Sequence, residues 1–229
     1  MFIKKRALPS KMAAMTILTS PRDVLEYWFV NTRNGVLSSI QQRMAVWFFR
    51  SVPDFEAVQL ENEGLIDKCA NDETGWDLEH DHEAVMATVI VLDQFSRAVH
   101  RGTARAFESD EKSAAIIRRM LLETDWFIIK YSPIERLFLI VALQHSEKME
   151  NQELGVSLAP RVGENATEDI IEYFESIKGF PMEHYDVIKQ FGRYPHRNEL
   201  LSRESTAEEL QWLESPDCPA WAKSQKKLA

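Results

Sequence analysis

The sequence predicts an all-α fold, in which antiparallel helical hairpins stack as a TPR-like array and form an α-α superhelix. The chain has only 8 glycines and 9 prolines in 229 residues, about 7% where roughly 12% is average, which favours long elements joined by few turns. Apolar residues recur at helical spacing, and no segment shows the strict alternation of a strand. The predicted helices follow one another closely, as in stacked hairpins, although no clean 34-residue repeat accompanies them.

The first half of the chain contains recognisable helix starts and ends. Ser20 and Pro21 combine a hydroxyl cap with a proline at the first helical position. A polar loop over 71–82 separates two groups of helices, and Gly102 lies where a left-handed residue closes a helix. The helices of this half are predicted to begin at Pro21 and to continue over 40–48, 53–69 and 83–101.

The second half follows the same rules. Ser132 and Glu135 form a capping box around a proline at the first helical position, and Gly179 and Gly192 each end a helix. One helix is predicted to end at Pro160. The others are predicted to start near Ser109, Ser132, Thr167, Pro181 and Ser205.

Composition restricts the partners of the protein. Lys and Arg number 27 against 36 Asp and Glu, for a formal net charge of −9. Nucleic acids and anionic membranes need a basic face, so neither is an expected partner. The longest apolar runs, 84–92 and 137–143, are too short to cross a bilayer, and two widely separated cysteines indicate a reducing compartment. The expected location is the cytoplasm, and the oligomeric state is left open.

The N-terminal residues differ from the rest of the chain, because the first 22 contain five basic residues and no acidic one. We therefore divide the chain into a basic extension over 1–20, a single TPR-like helical domain over 21–215 and a C-terminal tail over 216–229. The extension is either disordered or a targeting segment. If it is a mitochondrial presequence, the protein is mitochondrial rather than cytoplasmic.

A first polar segment interrupts an apolar helix. Asp93, Arg97 and Arg101 are spaced i, i+4 and i+8, so they share one helix face. Buried charges are costly unless they pair or line a groove. The segment predicts either an internal Asp93–Arg97 ion pair or, together with Gln94 and Arg105, an electropositive groove for a carboxylate or phosphate.

A second polar segment follows the apolar run 137–143. His145 is placed at the C-terminal end of a helix, where the helix dipole favours a positive charge and an imidazole titrates near neutrality. It is either a general acid–base group or a helix-end histidine bonded to a carbonyl or to Glu147. His145 and Glu147 lie about 200° apart on a regular helix, which disfavours a joint metal site.

A third segment, 190–203, concentrates positive charge in an acidic chain. It holds three arginines and one histidine against a single acidic residue. Gly192 and Pro195 predict a tight loop, which is where binding residues often lie. The segment is either a ligand-binding loop or a solvated basic turn. The candidate residues are Arg193, Arg197 and Asn198 for binding and His196 for catalysis.

A fourth segment, 79–83, contains side chains that could ligate a metal. Its irregular spacing instead favours a helix start capped by Asp81. The chain also has no nucleophile motif and no Gly-rich phosphate loop. The sequence therefore predicts neither a metal site nor a cofactor.

Several ordered blocks of the sequence resemble a known family. They include Pro21–Phe29, Trp47-Phe48, Leu92-Asp93-Gln94-Phe95, Arg101-Gly102-Thr103, Arg105-Ala106-Phe107, Glu135–Leu139, His145-Ser146-Glu147 and Phe191–Asn198. These blocks resemble domain-of-unknown-function family 924, a mainly bacterial family of all-helical, TPR-like proteins, from Pro21 to about Leu213. Ser96, Ala98 and His100 depart from the family's usual Pro, Asn and Tyr, which affects the expected groove more than the fold. The resemblance implies no catalytic residues, because the family has no established activity.

Two functional hypotheses remain, of which the helical architecture favours the first, and whether the protein is an enzyme is left open. In the first, a concave face binds a small anionic molecule or a peptide end through its arginines. In the second, the protein is an enzyme acting on a small anionic metabolite, with His145 or His196 as the general acid–base group. Asp93 or Glu147 would orient that histidine, and arginines would hold the substrate charge. Both hypotheses predict one concave pocket that brings together Asp93, Arg97, His145, Arg193 and His196.

Overall fold

The computed structural model describes residues 16–49, 52–216 and 218–223. Within these ranges the regular elements are helices and no strand is present, which confirms the predicted all-α class. The TPR-like superhelix stays a prediction. Most of the predicted basic extension lies outside the described residues. Among the helices described, none is both long and apolar enough to span a membrane.

The α-helices are short and follow one another closely. They are α1 (Pro21–Phe29), α2 (Leu37–Met44), α3 (Pro53–Glu61), α4 (Glu63–Ala70), α5 (His82–Val89), α6 (Ser96–Val99), α7 (Asp110–Glu123), α8 (Trp126–Ile129), α9 (Pro133–His145), α10 (Met149–Leu158), α11 (Glu168–Ser176), α12 (Phe180–Phe191) and α13 (Ala207–Glu214). The π-helical segments Ala45–Phe49 and Ile90–Phe95 continue α2 and α5. Turns of 3-10 helix cover Ala104–Phe107, Ala159–Arg161, Pro195–Arg197 and Ala220–Lys223.

The helix starts read from the sequence are present in the structure. The Ser20 hydroxyl accepts from the backbone N–H of Asp23 (3.2 Å), and the Asp23 carboxylate accepts from the backbone N–H of Ser20 (2.8 Å). Ser132 and Glu135 form the predicted capping box of α9. These contacts join residues three apart in the chain, which is why sequence patterns alone reveal them.

The predicted helix over 53–69 is instead two helices, α3 and α4, separated at Asn62. The Asn62 amide accepts from the backbone N–H of Leu18 (2.8 Å) and donates to the backbone carbonyl of Thr16 (2.7 Å). The break therefore coincides with a contact to residues 44 and 46 positions away. Leu18 is buried, so residues 16–20 pack against a domain that was predicted to start at residue 21.

Two helices form the centre of the core. Residues 84–93 of α5 and its π-helical continuation, and residues 134–144 of α9, are buried without interruption. A helix that is buried on all sides lies inside the fold, and each fully buried large apolar side chain contributes about 1.5–3 kcal/mol. α9 packs against α5, α7, α10 and α12. The core therefore fixes the ends of α5 and α9, so the polar residues at those ends are held in place.

The contact between α9 and α10 leaves no room at Gly155. A Cβ atom built on Gly155 would lie 2.1 Å from Nε2 of Gln144, and this amide is held because it donates to the Gln152 carbonyl (3.0 Å). We expect Gly155→Ala to lower the free energy of unfolding by about 1–3 kcal/mol through overpacking, although alanine is the better helix former. Urea denaturation followed by circular dichroism measures the change.

Gly64 provides the matched control for this substitution. It is an exposed residue of α4, and a Cβ atom built on it would have no atom within 4 Å. Gly64→Ala is therefore expected to raise the free energy of unfolding by about 0.4–1 kcal/mol. Equal effects at the two glycines would show that the contact with Gln144 relaxes at no cost.

Candidate functional site

Four segments of the chain meet around a buried set of charged side chains. They are the π-helical segment with α6, the start of α7, the end of α9 and the turn Pro195–Arg197. They contribute five side chains that we call the ionic network: Asp93, Arg97, Asp110, His145 and Arg197. The network contains residues of all three polar segments together with Asp110, which lies outside them.

Asp93 lies within the π-helical segment, where each backbone hydrogen bond spans one residue more than in an α-helix; such segments are frequent at functional sites. Its carboxylate is 1% exposed and contacts Nη1 of Arg97 (3.0 Å), Nε2 of Gln94 (2.6 Å) and Nδ1 of His145 (2.6 Å). Burial raises the pKa of Asp93, but His145 and Arg97 outweigh burial and hold this pKa well below its ordinary value. The carboxylate is therefore ionised at neutral pH. The internal Asp93–Arg97 ion pair, one of the two predicted alternatives, is present.

Asp110, the first residue of α7, joins the two arginines. Arg97 donates to it through both terminal nitrogens (2.8 and 2.9 Å), and Arg197 donates through Nη1 (3.0 Å). Sequence reasoning missed Asp110, because an acidic residue in the first turn of a helix is an ordinary contact with the helix dipole. One signal in the sequence could have pointed to a further acidic residue such as Asp110. It is the surplus of arginines in the predicted groove, since buried arginines need counter-ions.

The charges of the network balance. Arg97 and Arg197 have side chains only 11% and 5% exposed, and their two aspartate partners are buried as well. Two guanidinium groups therefore face two carboxylates, and the formal charges cancel. Arg197 also donates to the backbone carbonyl of His145 (3.0 Å). These two arginines consequently supply no excess positive charge, in contrast to the electropositive groove that the sequence suggested.

His145 is the last residue of α9 and the member of the network best placed to react. Burial, followed by the charge of Arg97, lowers the pKa of His145 despite the opposing effect of Asp93. The imidazole is therefore neutral at pH 7. An ionised carboxylate only accepts hydrogen bonds, so the proton lies on Nδ1 and points to Asp93, and Nε2 presents a lone pair. The side chain is 16% exposed, so reagents can reach part of it.

Two further histidines lie beside His145. The ring centre of His184, on α12, is 6.3 Å from that of His145. The His196 ring packs 5.4 Å from that of Tyr194, and its Nδ1 is buried without a hydrogen-bond partner. Burial, reinforced by neighbouring basic groups, lowers the pKa of both histidines well below 6.5. Sequence reasoning missed His184, because it lies in an ordinary amphipathic helix with no excess of charge.

Glu147 does not orient His145. Its carboxylate instead accepts from both terminal nitrogens of Arg203 (2.7 and 3.0 Å) and from the backbone N–H of Tyr194 (2.8 Å). Of the two predicted orienting groups, Asp93 is the one that contacts the imidazole. Glu147 holds the loop that follows α12 against the end of α9.

Arg193 and Asn198 also hold this loop. Arg193 pairs with Glu209 of α13 through two nitrogens (2.6 and 2.8 Å) and lowers the pKa of Glu209 to about 2. Asn198 donates to the same carboxylate (3.2 Å). Arg193 therefore belongs to a separate ion pair, in contrast to the prediction that it would meet Asp93 and His145 in one pocket.

Two of the predicted binding arginines, Arg101 and Arg105, are exposed, whereas the network is mostly buried. α6 ends at Val99, so Arg101 lies beyond the helix and is exposed, and the predicted i, i+4, i+8 stripe is wrong at its third position. Gly102, with φ of 75°, turns the chain here. Arg105 lies in a 3-10 turn with a side chain 48% exposed and pairs with Asp67 at 2.7 Å. Such surface pairs contribute little.

The segment 79–83 begins α5, as its capping pattern predicted. The Asp81 carboxylate accepts from the backbone N–H of Glu83 (2.8 Å). The His80 imidazole is 78% exposed and contacts Asp77 at 3.2 Å, whereas the His82 ring packs 5.9 Å from that of Tyr131. His80 and His82 therefore lie in separate surroundings.

Comparison with known proteins agrees with the fold. A solved structure of a protein of unknown function from Agrobacterium tumefaciens is similar to the chain, with a TM-score of 0.62 and 24% sequence identity over 85% of this chain and 96% of that one. No curated protein matches the chain. The model of a bacterial protein family of unknown function, DUF924, matches residues 24–217, which include the whole ionic network. The chain therefore belongs to the DUF924 family.

Proposed function

We propose that this protein is an enzyme in which His145, oriented by Asp93, acts as a general base on a small substrate. The observation that carries the proposal is the 2.6 Å contact between Nδ1 of His145 and the buried Asp93 carboxylate. A carboxylate in this position holds the imidazole in one tautomer and stabilises the imidazolium that forms when Nε2 takes a proton. The same arrangement orients catalytic histidines on unrelated folds.

A purely structural role explains this contact less well. Asp93 already has Arg97 as its counter-ion and Gln94 as a second donor, so it does not need His145 to balance its charge. Arg97 in turn lowers the pKa of His145, which keeps the imidazole in the form that accepts a proton. The arrangement therefore favours a neutral, oriented imidazole over a simple ion pair.

A small anionic molecule or a peptide end is the ligand of the second candidate function, a binding module. Two nitrogens favour it: Nε of Arg197 and Nδ1 of His196 are both buried without a hydrogen-bond partner, and both suit an oxygen atom of a carboxylate or phosphate. Against it, the charge of Arg197 is already balanced by Asp110. Binding is therefore the second candidate function, and a small anionic molecule is the expected substrate of the proposed enzyme.

Turnover of small metabolites tests the proposal. We expect the purified protein to change the concentration of at least one anionic metabolite in a cell extract, measured by mass spectrometry. His145→Ala should reduce the initial rate about 10²–10⁴-fold, the usual contribution of a general base. The matched control is His80→Ala, which removes an imidazole that is 78% exposed and should leave the rate unchanged.

The outcomes separate the two candidates. If His145→Ala turns over the same metabolite at the wild-type rate, His145 is not the base. If no metabolite changes but an anion raises the melting temperature of the wild type and not of Arg197→Met, the protein is a binding module. Nitrogen NMR of His145 adds a direct check, because a proton found on Nε2 rather than on Nδ1 at pH 7 would contradict the proposed orientation.

A further inference from the structure

Three polar aromatic side chains next to the ionic network enclose one aromatic ring. They are His184, Tyr194 and His196, and we call this group the aromatic cleft. The indole of Trp221 fills the cleft and stacks on His184, with ring centres 3.9 Å apart and planes at 17°. Tyr194 and His196 present their rings nearly at right angles to the indole, at 5.7 and 5.5 Å. The indole therefore stacks on the face of one ring and lies nearly perpendicular to two others.

The cleft differs in chemistry from the core of the fold. Most side chains of the core are aliphatic or phenylalanine, whereas each ring of the cleft carries a nitrogen or a hydroxyl. Nδ1 of His196 is buried there without a hydrogen-bond partner. At the edge of the cleft, the Glu183 carboxylate accepts from the indole N–H of Trp221 (3.3 Å). The cleft thus offers both stacking and an acceptor for an N–H at the rim of a ring.

The segment that carries Trp221 lies outside the family match. It is a single 3-10 turn, Ala220–Lys223, and it follows the end of the family match at residue 217. The cleft residues all lie within the family match, which covers residues 24–217. The cleft is therefore formed by residues inside the matched range and filled by a residue that follows it. A side chain carried by a single 3-10 turn opens locally at a lower free energy than one in a core helix.

We propose that the aromatic cleft is a binding site for a planar aromatic ring with an N–H at its edge, and that Trp221 occupies this site as a displaceable plug. This proposal does not depend on the reactivity of His145. Only molecules in which Trp221 has left the cleft can bind an external ring, so the apparent affinity equals the intrinsic affinity multiplied by the fraction of such molecules.

The experiment adds 5-fluoroindole to full-length protein and follows its ¹⁹F resonance by NMR. Trp221→Ala is expected to bind the probe saturably, with an affinity about tenfold or more above that of the wild type. Adding His184→Ala to this variant should abolish binding. The matched control is Trp212→Ala, which removes another partly buried indole that packs 5.5 Å from Phe191 and should bind no better than the wild type. Equal binding by Trp221→Ala and Trp212→Ala would overturn the proposal.

A second measurement does not depend on the stability of the Trp221→Ala variant. The wild-type chain is labelled with 5-fluorotryptophan, and the resonance of residue 221 is assigned through Trp221→Phe. Unlabelled indole should move this resonance towards the position of a solvent-exposed ring and leave the other tryptophan resonances in place. A resonance that stays unmoved up to the solubility limit of indole would show that Trp221 is a fixed part of the fold.

Discussion

Replacing Asp110 with alanine is expected to lower the free energy of unfolding by about 3–5 kcal/mol, because it leaves buried charge without a counter-ion. Asp110 pairs with Arg97 at 2.8 Å and with Arg197 at 3.0 Å, and both guanidinium groups are almost fully buried. Arg97 keeps Asp93 as a partner, so most of the cost is expected at Arg197. Chemical denaturation followed by circular dichroism measures the change.

Two further variants make the origin of this effect clear. Asp110→Asn keeps the shape of the side chain and removes its charge, so it should show most of the loss. Asp67→Ala removes a carboxylate that is 59% exposed and pairs with Arg105 at the surface, and it should cost no more than about 1 kcal/mol. A cost for Asp110→Ala as small as that for Asp67→Ala would mean that the arginines reach water when their partner is removed.

Mild acid is expected to destabilise the protein before its carboxylates titrate. Burial lowers the pKa of His145, His184 and His196 below 6.5, helped by neighbouring positive groups. Below about pH 6.5 the unfolded chain binds protons at these positions and the folded chain does not. Stability is therefore fully present above that pH and falls as the pH decreases. A histidine that stays neutral in the folded chain contributes about 1.4 kcal/mol per pH unit.

Urea unfolding at pH 7.5, 6.5 and 5.5 measures this dependence. His184→Gln should reduce the slope below pH 6.5 by about 1.4 kcal/mol per pH unit, since one proton fewer is taken up on unfolding. His80→Gln, at a side chain 78% exposed, serves as the control with an unchanged slope. A free energy of unfolding that stays constant down to pH 5.5 would show that the three histidines take up protons in the folded state.

Local features of the fold were predictable because they depend on near neighbours. The caps at Ser20, Asp81 and Ser132 use contacts between residues two or three apart, and their patterns are visible in the sequence. The break at Asn62 was not predictable, because it depends on residues 44 and 46 positions away. The short helix α8 was missed because its four residues are too few to show a helical period.

The candidate site was predictable in part. The sequence indicated Asp93, Arg97 and His145 because charge within an apolar pattern is costly to bury. The structure places these residues in contact. Arg101 was assigned to the same face on the assumption of a regular helix, whereas α6 ends at Val99. Asp110 carried no distinctive pattern, although it pairs with Arg197 87 positions along the chain.

The sequence by itself determined that the chain is helical, where its principal caps lie and which charged residues interrupt apolar helices. Propensity, capping and periodicity act over a few residues, so the sequence records them directly. Only the tertiary structure decided how the charges pair. Because Asp110 reaches both buried arginines, the site is a neutral network with an oriented imidazole rather than a positive pocket. The charge of a buried site is set by contacts between distant segments, which no local pattern specifies.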